Sequence, residues 1–377
     1  MFSRRGSIQG REFLRVTRLS CLTKGSLSMM LTVKRRWCRR HQVFRLTLLG
    51  LAVWSILIPF DPAYAERAGA SVKPEVQPQL ASYTPVERLT GRLTVGGSNT
   101  MSPLLTRLAG EFMRVYPGVR FIVESEGSEE ALAGFVDGLA RSRRGDGNQE
   151  GHLASNQIKL MASSRKLTPH EVATFVSRHG YAPTELPIAT DAVAIYVHKD
   201  SPLTGLTLDQ VDAIFSQTQK RGWKENILNW GQIGLNHGEG QTAIRLYGRD
   251  RNSGTREFFR EHILLGGQFK SEVEEVPGAA SIIYEVARNR SAMGYSSIGF
   301  QTPLVKAVPL AEKEGSPYVV PTAETTLNGS YPLARSLYLY VNQSPDQPLD
   351  PILFEFLRFT NSREAQEAVV GAAVYPI

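Results

Sequence analysis

The sequence predicts an α/β fold, because from Gly91 onward short apolar runs typical of strands alternate with amphipathic stretches typical of helices. Three of these strand–turn–helix units carry Gly, Ser and Thr in the turn, at 96–100, 124–128 and 249–256. Strands that alternate with helices form parallel sheets, and the turns after such strands meet at one edge. We therefore expect the three turns to face one shared ligand.

The first unit is built around the turn 96–100, Gly-Gly-Ser-Asn-Thr, which follows an apolar run ending at Val95. Pro103 suits the first turn of the helix expected next, because a proline there loses no hydrogen bond. The helix is indicated by apolar residues three or four positions apart, namely Leu104, Leu108, Phe112 and Val115. Ser and Thr are also ordinary helix N-caps, so this turn taken alone is consistent with simple capping.

The second unit follows the β-like run 119–123 and carries Gly127 and Ser128 in its turn. Glu129 and Glu130 come next and suit the first turn of a helix, where the helix dipole favours acids. The same carboxylates would oppose an anion bound at this turn. The unit is therefore predicted as a helix start whose hydroxyl faces the shared ligand.

The third unit, 249–256, reads Arg-Asp-Arg-Asn-Ser-Gly-Thr-Arg and is the most informative stretch of the chain. It follows the β-like run 243–247 and precedes a helix in which Phe259 and Ile263 share one face. The free N–H groups of a helix start, a glycine that permits close approach and Arg249 together form an anion cradle. The sequence therefore predicts that the shared ligand is an anion.

The remaining elements continue the alternation to the end of the chain. The run 158–162 is a predicted strand with Ser163, Ser164 and Arg165 at its end, and Thr168 is the expected cap of the next helix. Further strands are predicted at 191–198 and 292–295, and further helices at 207–215, 281–287, 351–359 and 363–370. The polar stretch 141–156 interrupts the pattern and is predicted as a solvated loop, with a docking or regulatory role as the alternative.

The N-terminal 65 residues read as a secretion signal. A basic region at 34–45 precedes the apolar run 46–60, and the Ala-Tyr-Ala sequence ending at Ala65 matches a cleavage site. Translation starting at Met29 or Met30 would shorten the long basic region. The competing interpretation is a membrane anchor, although the run is shorter than the ~20 residues that span a bilayer.

Composition narrows the function classes once that segment is set aside. Residues 1–65 hold 12 of the 43 Lys and Arg but two of the 36 Asp and Glu, so the rest of the chain has a net charge of −3. This balance gives no argument for a nucleic-acid partner. Cys21 and Cys38 both lie in the N-terminal segment. We therefore expect no disulfide, no thiol nucleophile and no cysteine metal site in the mature chain. We also expect no cofactor and no other metal site.

The motifs described above resemble those of the periplasmic phosphate-binding proteins of phosphate ABC transporters. The resemblance runs from about Gly91 to Ile377 and rests on the blocks 97–100, 163–165, 190–197, 208–215, 249–256 and 369–377. It implies the two-lobed type II periplasmic binding protein fold, in which two α/β lobes close over one phosphate in the cleft between them. It also implies a monomeric receptor that has inorganic phosphate and the membrane permease of an ABC transporter as partners.

The resemblance also implies the site residues. Those matching the family's phosphate-binding loops are Ser98, Thr100, Ser128, Ser164, Arg165, Arg249, Ser253, Gly254 and Thr255. Some family members use a carboxylate to accept the proton of hydrogen phosphate, and Asp191 and Asp250 are the candidates here. An Asp next to Arg249 is also readily explained as a structural partner of that arginine.

The domain organisation expected from the resemblance has five segments. They are a signal peptide (1–65), a flexible lead-in (66–88), the first part of lobe 1 (89–198), lobe 2 (199–295) and the second part of lobe 1 (296–377). Periplasmic localisation follows from the signal.

Three alternatives to a phosphate receptor remain. A receptor for sulfate or molybdate would use a similar cradle, and a phosphate sensor or adhesion subunit would keep the site without transport. A secreted phosphatase would need a base or metal near Ser253. No histidine adjoins a Ser/Thr turn or has metal-ligand spacing, and the enzyme is disfavoured.

Overall fold

The computed structural model describes residues 74–86, 88–137, 158–235 and 240–377. All of them belong to one structural unit, 61–377. The predicted signal peptide with its cleavage site and the whole polar stretch 141–156 lie outside the described residues. Within the described residues, no helix has both the length and the apolar character needed to span a bilayer.

Strands and helices alternate along most of the chain, as the hydrophobic pattern predicts. The strands are β1 (Thr90–Gly97), β2 (Gly118–Glu124), β3 (Leu160–Ser163), β4 (Thr184–His198), β5 (Leu206–Thr207), β6 (Arg245–Arg249), β7 (Val273–Val276), β8 (Ala292–Ser297), β9 (Val305–Ala307), β10 (Leu310–Ala311) and β11 (Ala334–Val341). The helices are α1 (Ser102–Val115), α2 (Ser128–Asp137), α3 (Pro169–His179), α4 (Leu208–Phe215), α5 (Gly254–His262), α6 (Ala279–Arg288), α7 (Ala323–Leu327), α8 (Pro351–Thr360) and α9 (Arg363–Gly371).

Local signals set many of these boundaries. Thr168 caps α3 and Thr207 caps α4, each in a reciprocal capping box with the residue three positions later. Gly180 ends α3 in the left-handed conformation, with φ of 82°. Short 3-10 turns at Asn99–Met101, Trp230–Ile233 and Ile298–Phe300 complete the regular structure.

The principal sheet links two lobes through β4. Its strand order is β2-β1-β3-β11-β4-β8-β6-β7, with β9 also paired to β4. Over 184–192 β4 pairs with β11, and over 193–198 it pairs with β8 and β9. The parallel pairs β1–β2 and β1–β3 lie in one lobe, and β6–β7 and β6–β8 in the other. The strand therefore crosses from the first lobe into the second, and the chain returns at β11.

Each lobe has its own apolar core. In the first lobe Phe112 of α1 packs against Phe356 of α8, with ring centroids 5.4 Å apart. In the second lobe Phe259 of α5 stacks on Tyr295 of β8 at 4.0 Å, and Phe215 packs nearby. Burying rings of this size contributes much of the stability of each lobe. The expected two-lobed α/β architecture is confirmed.

The return to the first lobe occurs later than the predicted position 296. β9 pairs with β4, and β10 pairs with β5. Tyr331 and Leu333 belong to the core of the second lobe. The chain crosses back only between Leu333 and Ala334, because the segment before it has to cover the apolar face next to β4. Residues up to 333 therefore belong to the second lobe.

The lead-in predicted as flexible is bound to the first lobe over 74–86. The hydroxyl of Tyr83 donates to Glu355 at 2.5 Å, and its backbone N–H donates to Glu364 at 2.8 Å. The Arg363 guanidinium donates to the carbonyls of Pro78 and Leu80. Polar composition suggested flexibility, but these bonds to α8 and α9 hold the segment in place.

Candidate anion-binding site

The three Gly/Ser/Thr turns predicted to share a ligand meet between the lobes, together with the end of β3. Ser98, Thr100, Ser128 and Thr255 are each at most 5% exposed. The hydroxyl of Ser98 donates to that of Ser164 at 2.9 Å. Across the lobes, the Thr100 and Thr255 hydroxyls lie 2.9 Å apart. The site is therefore a buried cluster of hydroxyls contributed by both lobes.

The start of α5 brings the second lobe close to the first. Ser253 caps the helix by accepting a hydrogen bond from the Arg256 N–H. A Cβ atom at Gly254 would lie 2.6 Å from the Ser128 hydroxyl oxygen and 2.9 Å from that of Ser164. Only glycine permits this approach. The positive end of the helix dipole therefore points into the hydroxyl cluster.

Arg249 supplies a buried cation to this cluster. It is the last residue of β6, not a turn residue as predicted, and is 2% exposed. Its Nη1 donates to the Thr100 hydroxyl at 3.2 Å, and its Nε has no hydrogen-bond partner among the described residues. Burial, together with the nearby Arg335 charge, lowers the pKa of Arg249 to about 10. A nearby anion would stabilise the charged form of Arg249 and so offset the unfavourable effect of burying it.

Arg165, another predicted site residue, forms ion pairs within the first lobe. Its terminal nitrogens donate to Glu171 at 2.6 and 2.8 Å and to Glu129 at 2.5 Å. Burial opposes its charge, but these two carboxylates outweigh burial and raise the pKa of Arg165. Its guanidinium is therefore neutralised by the first lobe, and only its Nε lacks a partner among the described residues. These ion pairs do not favour a direct role for Arg165 at the ligand, and its assignment to the phosphate-binding residues stays a prediction.

Arg335 of β11 also lies in the site, although no motif of the sequence predicted it. It is 6% exposed, and its Nη2 donates to the Thr255 hydroxyl at 3.0 Å. Its Nη1 has no partner within the described part of the chain. The alternation of buried and half-buried residues along β11 could have identified it, because Arg335 shares the buried face with Leu337 and Leu339. A charge on the buried face of a strand needs a partner.

Asp191 is the partner of Arg335. The two residues lie opposite each other in the antiparallel register of β4 and β11. Arg335 donates to Asp191 Oδ2 at 2.7 and 3.0 Å, and Ser297 donates to Oδ1 at 2.7 Å. Both oxygens of this fully buried carboxylate are therefore engaged by the protein itself.

Asp250, the other candidate proton acceptor, stabilises the turn after β6. Its Oδ1 accepts a hydrogen bond from the backbone N–H of Asn252 at 3.0 Å. This local arrangement is an Asx turn. Of the two carboxylates, Asp191 is thus the one in contact with another charged residue of the site.

The charges in the site do not balance. Arg249 and Arg335 are both buried, whereas Asp191, paired with Arg335, is the one buried carboxylate beside them among the described residues. Asp250 is less buried and acts on Arg249 only as a neighbouring charge. In addition, Ser128 Oγ, Arg249 Nε and Arg335 Nη1 are buried without a hydrogen-bond partner among the described residues. Leaving such a group unpaired costs about 1–3 kcal/mol, and more when it is charged. A small anion with several oxygens would satisfy both the charge and the donors.

Metal binding has no comparable support. In the described ranges, no group of three or more His, Cys, Asp or Glu is placed to hold a metal ion. The donors that converge in the site are guanidinium, hydroxyl and amide groups, which bind anions.

Comparison with known proteins agrees with this geometry. The PBP superfamily domain matches residues 81–364. The chain belongs to the PBP superfamily. Within it, the chain is 38% identical over 308 residues to the phosphate-binding protein PstS of Pseudomonas aeruginosa, covering 82% of this chain and 90% of that relative. It is 24% identical to protein SphX of Synechococcus elongatus over 270 residues, or 70% of this chain and 72% of that one.

Solved structures of the PBP superfamily share the fold. A phosphate ABC transporter substrate-binding protein from Clostridium perfringens, crystallised with bound phosphate, has a TM-score of 0.60 and 23% identity. An ABC-type phosphate transport receptor from Vibrio cholerae has a TM-score of 0.55 and 22% identity. Each comparison covers 76% of this chain and 100% of the other. The resemblance to phosphate-binding proteins is thereby confirmed at the level of family and fold.

Proposed function

We propose that this protein is a periplasmic receptor that captures inorganic phosphate between its lobes and delivers it to the permease of an ABC transporter. The observation that carries the proposal is the pair of buried guanidiniums, Arg249 and Arg335, which contact hydroxyls from both lobes, while the one buried carboxylate beside them, Asp191, is paired with Arg335. Relatives named phosphate-binding protein support the ligand.

The available donors are sufficient for tight binding. A hydrogen bond to a charged group contributes about 1.5–3 kcal/mol net, and a helix start adds about 0.3–1 kcal/mol. Several such interactions, less the cost of ordering the ligand, reach the ~8 kcal/mol of a micromolar complex. Ser98, Thr100, Ser128, Ser164, Ser253 and Thr255 would supply the hydroxyls, Gly254 the close backbone approach, and Arg249 with Arg335 the charge.

The chemistry favours a binding protein over an enzyme. The Ser253 hydroxyl accepts from the Arg256 N–H and has no other hydrogen-bond partner among the described residues. His262, on the same helix, binds the Phe258 carbonyl through Nδ1. A nucleophilic serine needs a base within hydrogen-bond reach. We therefore propose that Ser253 binds the ligand and does not attack it.

The proposed location follows from the N-terminal sequence and from the function. A receptor that serves an ABC transporter binds its ligand outside the cytoplasmic membrane. We propose cleavage after Ala65, release into the periplasm and a monomeric mature protein that presents its lobes to the permease.

Titration calorimetry with phosphate, arsenate, sulfate and molybdate tests the proposal. We expect micromolar or tighter binding of phosphate, similar binding of arsenate because of its like shape and protonation, and much weaker binding of sulfate and molybdate. Tighter binding of sulfate or molybdate than of phosphate would identify a receptor for another oxyanion. The absence of heat with all four ligands would reject the proposed site.

A further inference from the structure

A side chain of the first lobe caps a helix of the second lobe. Asn99 lies between Ser98 and Thr100, and its Oδ1 accepts a hydrogen bond from the backbone N–H of Ala279 at 3.2 Å. Ala279 is the first residue of α6 and is fully buried. The residue before it, Gly278, has no side chain and makes no capping bond. Asn99 thus occupies the role that an N-cap side chain normally has.

The backbone at this contact suits a cap from the other lobe. Gly278 has φ of 78°, a conformation that other residues rarely adopt. A Cβ atom there would lie 3.3 Å from Asn99 Oδ1, so the absence of a side chain leaves room for the asparagine. Helix α6 therefore has no capping side chain from its own segment, and Asn99 can approach its first N–H group.

A second contact joins the lobes at the next turn. The Glu129 N–H donates to the Asn252 carbonyl at 3.2 Å, and a Cβ at Gly127 would lie 2.6 Å from the same oxygen. The turn with Ser98 and Thr100 and the turn with Ser128 are thus each attached to the second lobe. Residues proposed to hold the anion and residues that hold the lobes together alternate along the same short segments.

We propose that Asn99 is a latch that couples ligand capture to closure of the lobes, an inference that rests on the proposed function. When the lobes separate, water can satisfy the Ala279 N–H. When they close, this N–H is buried and needs an acceptor, which Asn99 supplies. Because Asn99 is fixed between two residues of the anion site, binding of the anion places the latch where α6 requires it.

The test compares two Asn→Ala variants at opposite ends of the α6 region in the purified protein. Asn99→Ala removes the cap that comes from the first lobe. Asn289→Ala removes a local contact at the C-terminal end of α6, where Asn289 Oδ1 accepts hydrogen bonds from Ser291. Inorganic phosphate is the ligand, and association and dissociation rates are measured by stopped flow together with the ligand-free Tm.

For Asn99→Ala we expect phosphate to dissociate about fivefold faster, the factor corresponding to about 1 kcal/mol for one lost N-cap. The association rate should stay within about twofold, because the latch forms after encounter. The ligand-free Tm should be unchanged, since the contact joins lobes that are free to separate. Asn289→Ala should show the reverse pattern, with a lower ligand-free Tm and an unchanged dissociation rate.

Several results would overturn the latch. One is an unchanged phosphate dissociation rate in Asn99→Ala, and another is a decrease in the association rate alone. A fall in the ligand-free Tm of Asn99→Ala would also overturn it, because Asn99 would then stabilise the fold without ligand. Each of these presupposes that the wild-type protein binds phosphate. Failure of the wild type to bind would instead reject the proposed function.

Discussion

Two buried guanidiniums set the sign of the charge that this site accepts. Burial lowers the pKa of both Arg249 and Arg335, and the nearby Arg335 charge lowers the pKa of Arg249 further. Asp191 lies against Arg335 and offsets part of this charge. An anion between the lobes would remove the remaining imbalance, so Arg249 should matter more for binding than for folding. Arg335 also neutralises the buried Asp191, so its removal should lower stability as well as affinity.

We expect Arg249→Ala and Arg335→Ala each to weaken phosphate binding by about 2–5 kcal/mol, the cost of removing one partner of a buried charged contact. Arg251→Ala is the matched control, because the Arg251 side chain is 86% exposed two positions from Arg249. It should change affinity by less than about twofold, since exposed charges contribute little. Calorimetry on folded variants measures all three, and an unchanged affinity in Arg249→Ala would remove Arg249 from the site.

Gly254 gives a second prediction for a single residue. Alanine favours a helix by about 1 kcal/mol over glycine, so Gly254→Ala should not destabilise the ligand-free protein. In the closed arrangement its Cβ would meet the Ser128 and Ser164 hydroxyls at 2.6 and 2.9 Å. We therefore expect at least a tenfold loss of phosphate affinity with an unchanged or higher ligand-free Tm.

Gly110→Ala provides the control for that experiment. Gly110 lies within α1, and a Cβ added there would meet nothing within 4 Å. This variant should gain helix stability and bind phosphate as the wild type does. Equal phosphate affinity in Gly254→Ala and Gly110→Ala would show that α5 does not approach the first lobe closely in the bound state.

Among the secondary-structure elements, the N-terminal ends of helices form most of the site. The 3-10 turn Asn99–Met101, α2 and α5 all begin at the site, and each follows a strand that ends there. α3 begins nearby and has a different task. Glu171, the partner of Thr168 in the capping box of α3, also forms a hydrogen bond with Arg165. This bond connects the start of α3 to the segment that follows β3. The contribution of this contact to the stability of the protein should therefore depend on pH.

The pH dependence follows from the ionisation of Glu171. Burial would raise the pKa of this carboxyl, but hydrogen bonds from Arg165 and Thr168 outweigh burial and hold the pKa below its ordinary value. A lowered folded-state pKa stabilises the protein above the unfolded pKa, and that contribution is lost as the pH falls through the folded value. We expect Glu171→Gln to reduce the free energy of unfolding by about 1.5–3 kcal/mol at pH 7, as for a hydrogen bond to a charged group.

The difference between wild type and Glu171→Gln should shrink as the pH is lowered from 5 towards 3, about the range around the unfolded pKa. Urea unfolding of both proteins across this range measures it. Glu367→Gln, a change at an exposed position of α9, is the control and should be neutral throughout. A difference that stays constant with pH would show that Glu171 acts through packing and not through its charge.

At the scale of the whole molecule, the described part of the chain connects the lobes at two places, β4 and the crossing between Leu333 and Ala334. Few covalent links between two separate cores favour hinge motion about those links. A ligand held by both lobes then links binding to global stability.

We predict that phosphate raises the Tm of the protein. A ligand bound only by the folded state stabilises it by about 2.7 kcal/mol when present at about a hundredfold excess over Kd. Differential scanning fluorimetry with phosphate should show a concentration-dependent rise in Tm that sulfate does not reproduce at equal concentration.

The same preparation should release no phosphate from phosphomonoesters. Turnover that survives purification and disappears in Ser253→Ala would replace the receptor with a hydrolase. A colorimetric phosphate assay over several hours provides the measurement.

The sequence by itself determined where helices begin and what chemistry lies at their starts. Capping residues, helical spacing and the Gly/Ser/Thr turns are local signals, so the gathering of Ser98, Ser128, Ser253 and Thr255 at the proposed site could be predicted from neighbours in the chain. Only the tertiary structure decided how the charges are partnered. Arg335 and Asp191 are 144 residues apart and meet because β11 lies beside β4 in a register that places them opposite each other. Arg165, predicted for the ligand, is held by Glu129 and Glu171 for the same reason, since the partner of a buried charge depends on which elements pack together and not on the sequence around it.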